Sequence, residues 1–152
     1  MAEKDHTGNA SARLLLVDDE QGFVNVLAKR IGKRHIQVRK ACSGFEAIQI
    51  LREERFDVAV LDLKMQDMDG IEVLKIFKKM APNLQVIMLT GHGSEIAARE
   101  GMEYGAMDYL TQVPPDISLS IPESLDSYTE RAFQMTSVLD DILHQQPPPP
   151  HL

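Results

Sequence analysis

The chain has a single cysteine, Cys42, so no disulfide can form within it. Cys42 reads as a small packed residue rather than a nucleophile. No apolar run reaches the ~20 residues that a membrane-spanning helix needs. The stretch from Met1 to Ala12 has no hydrophobic signal core, so the expectation is a cytosolic protein. Basic charge is also short: 16 Lys and Arg face 23 Asp and Glu, a formal net charge of −7. That argues against sequence-independent binding to nucleic acid, which needs a basic surface for phosphates. What remains is ordinary for a soluble globular protein, with 43% hydrophobic and 26% charged residues. A length of 152 residues suits one domain with its own core.

The most telling stretch is Phe56-Asp57-Val58-Ala59-Val60-Leu61-Asp62. A short continuous apolar run reads as a strand buried on both faces, and Asp62 stands where it ends. Two other runs end in polar residues. Arg13-Leu14-Leu15-Leu16-Val17 leads into Asp18-Asp19, and Leu84-Gln85-Val86-Ile87-Met88-Leu89 leads into Thr90. Any one of these could be a helix cap after a strand. Their recurrence in order is what suggests a site, because ligands of open α/β sheets bind beyond the carboxyl ends of the strands.

Helical spacing fills the gaps. Phe23, Val24, Leu27 and Ile31 define a first helix to about Lys33. Its basic end (Lys29, Arg30, Lys33, Arg34) suits the negative end of a helix dipole better than it suits a phosphate-binding patch. Ile36–Ala41 alternates apolar and polar residues, as a half-exposed edge strand does. Ser43 can cap a second helix carrying Phe45, Ala47, Ile48 and Leu51. After the loop Lys64–Asp69, Gly70 leads into a third helix with Ile71, Val73, Leu74, Ile76 and Phe77, ended by Pro82-Asn83. A small-residue fourth helix over Glu95–Tyr104 is closed by Gly105, and Ala106–Thr111 is the fifth strand.

Strands alternating with helices predict a parallel sheet with right-handed crossovers. With strand two at the edge, the order 2-1-3-4-5 gathers Asp18, Asp19 and Asp62 at one crevice, with Thr90 on the next strand. Carboxylates this close raise one another's pKa unless a cation removes the cost. Oxygen ligands suit Mg²⁺, which often sits beside a phosphate. A carboxylate can also accept a phosphoryl group.

These residues resemble the receiver domains of two-component response regulators. The match is carried by Leu14-Leu15-Leu16-Val17-Asp18-Asp19-Glu20, Val60-Leu61-Asp62-Leu63, Met65 with Asp69-Gly70, Leu89-Thr90-Gly91 and Gly105-Ala106-Met107-Asp108-Tyr109-Leu110. The resemblance implies a flavodoxin-like, doubly wound five-stranded parallel sheet over residues 13–113. It further implies that Asp62 takes a phosphoryl group from a histidine kinase or phosphotransfer protein. Asp18, Asp19, Asp62 and the backbone carbonyl of Lys64 would hold Mg²⁺. Thr90 would contact the phosphoryl group, and Tyr109 would change rotamer with it. Tyr109 can equally be read as an ordinary half-buried strand tyrosine, and the Lys64 side chain as a solvated loop lysine.

Three departures stand out. The family's lysine at the end of strand five is here Gln112, which can donate a hydrogen bond but carries no charge. Its Met-Pro in the loop after the acceptor is here Met65-Gln66, which bears on loop rigidity. The last helix is displaced: a connector and helix occupy residues 114–146, and Ser120-Ile121-Pro122-Glu123 forms a capping signal. Leu125, Tyr128, Ala132, Met135, Leu139 and Ile142 form one apolar seam on a long helix over Pro122–Gln145. At 1.5 Å per residue it would span roughly 36 Å; it can be read as a displaced fifth helix packing on its own domain or as a helix packing on a second subunit, and the homodimer is the favoured expectation. Residues 1–12 read as a flexible tail and 147–152 as a proline-rich one.

The expected function is a single-domain receiver that acts by protein–protein contact on a downstream partner of unknown identity, not as an enzyme. Gln112 keeps a second class open, a pseudo-receiver that binds partners without phosphorylation. A small aspartate-nucleophile phosphatase would need a general acid that the sequence does not offer.

Overall fold

In the computed structural model, residues 12–90 and 95–111 are described. Their elements run β1 (Arg13–Val17), α1 (Gln21–Gly32), β2 (Gln37–Ala41), α2 (Gly44–Glu53), β3 (Val58–Asp62), α3 (Gly70–Met80), β4 (Gln85–Thr90), α4 (Glu95–Glu103) and β5 (Asp108–Thr111). The strands form one sheet in the order β2-β1-β3-β4-β5, and every pair is parallel. The expected flavodoxin-like order is therefore what forms.

Side chains alternate across this sheet, and each face has its own core. Leu14, Leu16, Val58, Val60, Ile87 and Leu89 point to one face and pack with Phe23, Val24, Leu27 and Ile31 of α1. Leu15, Val17, Ala59, Leu61, Val86 and Met88 point to the other, against α2, α3 and Ala98 of α4. This is why β1, β3 and β4 read as continuous apolar runs. Strand β2 pairs on one side only, so Gln37, Arg39 and Lys40 stay exposed. Ser43 caps α2 as its position suggests, accepting a hydrogen bond from the Glu46 N–H.

Strand β5 begins two residues later than the sequence suggests. Gly105, at φ +105°, ends α4 with the Ala106 N–H bonded to the Gly101 carbonyl (3.1 Å) and its own N–H to Met102 (3.2 Å). That is the bonding of a Schellman motif, and it uses the Ala106 donor before the ladder can. Gln112, the helix expected over Pro122–Gln145 and the dimer expected of it lie outside the described residues, as do both expected tails apart from Ala12. No helix among the described residues is long and apolar enough to cross a membrane.

The two ends of the sheet differ in charge. At the amino end, Glu54 is paired with Arg13 (2.8 Å) and Arg39 (3.1 Å), and Asp57 accepts from the Arg13 N–H (2.8 Å). The carboxyl end gathers acids instead.

Candidate functional site

Val17 pairs with Leu61, so the residues that follow each, Asp18 and Asp62, leave the sheet side by side. Asp19 joins them: ligand oxygens of Asp18, Asp19 and Asp62 all lie within 4.8 Å of one another. The three could hold a metal ion. Among the described residues no basic side chain is paired with any of them.

Asp18 is 2% exposed. Its main-chain N–H bonds to the Ala41 carbonyl (3.1 Å), and a carboxylate oxygen accepts from the Glu20 N–H (3.0 Å). Burial, and then the neighbouring charge of Asp62, push the Asp18 carboxyl up to about 8. Burial also raises Asp62, to about 6, against the opposing hydrogen bond from the Lys64 N–H (3.1 Å) and with a further push from Asp19. A crevice that holds back its own ionisation in this way favours a multivalent cation as occupant. The oxygen-only donor set is the kind that Mg²⁺ takes.

Lys64 thus meets Asp62 through its backbone; its side chain is exposed. Thr90 is the last residue of β4, one step beyond Leu89, which pairs with Asp62. Tyr109 pairs with Met88 on the α2–α3 side of the sheet and is half-buried against that core.

Sequence reasoning placed the loop between β3 and α3 but missed what holds it. Its base is closed by a bridge between Lys64 and Asp69, and Asp69 caps α3 by accepting from the Ile71 N–H (3.1 Å). Its tip is tied twice. The Gln66 N–H donates to Asp19 (3.0 Å), and Asp67 accepts from the Gly44 and Phe45 N–H groups at the start of α2 (3.0 Å each). An acidic loop residue was legible, but no local signal could show that its partners lie on α2.

Residues 14–115 match the response regulator receiver domain, and the chain belongs to that family. It is therefore a receiver domain of two-component signalling. Its relatives include the sporulation initiation phosphotransferase F of Bacillus subtilis, 36% identical over 105 residues that cover 69% of this chain and 84% of that protein. The transcriptional regulatory protein GlrR of Escherichia coli is 37% identical over 125 residues, 82% of this chain. This chain spans only 28% of that regulator's length. Among solved structures, a receiver domain protein of Clostridium thermocellum superposes with a TM-score of 0.64 at 29% identity, covering 84% of this chain and 98% of that one.

Proposed function

We propose that this receiver is a phosphoryl-accepting switch, with Asp62 as the acceptor and a histidine kinase or phosphotransfer protein as the donor. A carboxylate oxygen of Asp62 forms the new bond to phosphorus as the bond from phosphorus to the donor's histidine nitrogen breaks. That nitrogen keeps the electron pair and takes up a proton. Asp18, Asp19, Asp62 and the carbonyl of Lys64 hold Mg²⁺, which offsets the negative charge of the transferring group. Thr90 hydrogen-bonds the phosphoryl oxygens, and Tyr109 changes rotamer in response. The altered surface then acts on a protein partner, or the group moves on to another carrier. The name of the Bacillus subtilis relative, a phosphotransferase, supports the relay version.

The observation that carries this reading is the convergence of three carboxylates within 4.8 Å at the carboxyl ends of β1 and β3. Its test is incubation with a small phosphodonor and Mg²⁺, followed by intact mass. The wild type should gain one phosphoryl group, only with Mg²⁺ present, and Asp62→Asn should gain none. An equal gain in the variant would move the acceptor elsewhere.

Gln112 favours a second reading, a receiver that binds its partner unphosphorylated. A neutral donor holds a phosphoryl oxygen about half as strongly as a charged one. No mass gain in the wild type, with Mg²⁺ bound, would select it.

A further inference from the structure

We infer that Asp67 is a positioning residue for the acidic crevice: by clasping the loop between β3 and α3 to the start of α2, it keeps the Gln66 N–H against Asp19 and so orients that carboxylate for a divalent cation. This rests on the cation reading above and adds to it a device built from this chain's own residues.

The geometry is a relay of short bonds. Both Asp67 oxygens are engaged, one by the Gly44 N–H and the other by the Phe45 N–H, at 3.0 Å each. These donors open α2 and have no partner within the helix, and the helix dipole favours a negative charge there. Although burial works the other way, the backbone donors of Gly44 and Phe45 hold the Asp67 carboxyl below its ordinary value, so it stays charged. The next residue, Met68, packs on the same spot. A side chain on Gly44 would meet Val73 at 2.8 Å and Met68 at 3.2 Å. Residues 67 and 68 therefore sit on α2 with little room to shift.

One residue earlier, the Gln66 N–H reaches Asp19 at 3.0 Å. A proline at 66, as the family resemblance leads one to expect, would have no N–H to give. Asp19 is half-buried, and the Gln66 N–H is its one hydrogen-bond donor among the described residues. That donor fixes one oxygen of a carboxylate whose ligand oxygen lies within 4.8 Å of those of Asp18 and Asp62. Outer partners of this kind commonly change metal affinity on the order of tenfold or more when removed.

The test is calorimetric titration of the full chain with MgCl₂. Asp67→Ala should weaken binding about tenfold, and Asp67→Asn, which keeps one acceptor oxygen, should fall between. Ser43→Ala is the control: it removes the other α2 cap, the Glu46 bond, without touching the loop. It should lower stability much as Asp67→Ala does and leave Mg²⁺ affinity unchanged. Amide exchange at Gln66 should quicken in Asp67→Ala alone. Equal Mg²⁺ affinity in Asp67→Ala and wild type overturns the inference while leaving the cation reading intact. So does an equal loss in Ser43→Ala. A wild type that does not bind Mg²⁺ overturns both.

Discussion

Asp18→Asn should make the metal-free protein more stable and abolish its response to Mg²⁺. Asn has the shape of Asp and can still accept the Glu20 N–H at 3.0 Å, so the turn into α1 is kept. What disappears is a carboxylate at 2% exposure, facing Asp62 with no cation beside it among the described residues. Near pH 8 the gain should be on the order of several kcal/mol, at about 1.4 kcal/mol for each pH unit between the ordinary and the raised value, or roughly 10 °C or more in thermal midpoint for a domain of this size. The gap narrows when Mg²⁺ is added to the wild type, because a ligand that binds the folded state alone stabilises it by mass action, about 2.7 kcal/mol at a hundredfold excess over Kd. Equal midpoints without metal, or equal Mg²⁺ shifts in the two proteins, would mean that Asp18 is neither destabilising nor a ligand.

The same crevice sets a pH dependence. Asp18 is raised to about 8 and Asp62 to about 6, each from an ordinary value of 3.8. Above that ordinary value the folded state keeps protons that the unfolded chain has released, so stability falls as pH rises. The contribution is complete below pH 3.8 and is lost through about 6 for Asp62 and about 8 for Asp18. Without metal, the wild type should therefore lose ground against Asp18→Asn between about pH 4 and 8. Thermal unfolding of both across that range measures it. A constant difference would show that Asp18 titrates normally.

The cluster was legible because strand and site share one signal. A run buried on both faces must end where it leaves the sheet, and in parallel strands those ends lie at one edge. Hence Asp18 and Asp62 could be placed together from Leu14–Val17 and Val58–Leu61 alone. Edge strand β2 was legible for the opposite reason, its alternation of exposed and covered residues. The start of β5 was not, because Ala106 is apolar and fits a strand, yet its N–H belongs to the Gly105 turn. The Asp67 clasp was hidden for a different reason. Its partners are 22 and 23 residues away, and only the packing of α2 beside α3 brings them close.

Gly70→Ala should be the most damaging small substitution near the site. Gly70 opens α3, and its N–H donates to the Leu63 carbonyl at 3.3 Å. The helix thus starts directly on the end of β3. A Cβ there would stand 2.5 Å from the Leu63 Cα and 2.9 Å from the Asp62 carbonyl oxygen. Both are backbone atoms, so no side chain can rotate out of the way. Either α3 backs off the sheet or the segment after Asp62 moves. Overpacking of this kind costs about 1–3 kcal/mol, and the rigid partners place this case at about 3 kcal/mol. Because the moving atoms belong to Asp62 and its neighbour, Mg²⁺ affinity should fall as well. Gly32→Ala supplies the contrast. It ends α1 and a Cβ there meets nothing within 4 Å, so it should gain about 0.5 kcal/mol from helix propensity. Urea unfolding of both variants decides it. If their midpoints move together, α3 does not sit as close to β3 as the backbone distances state.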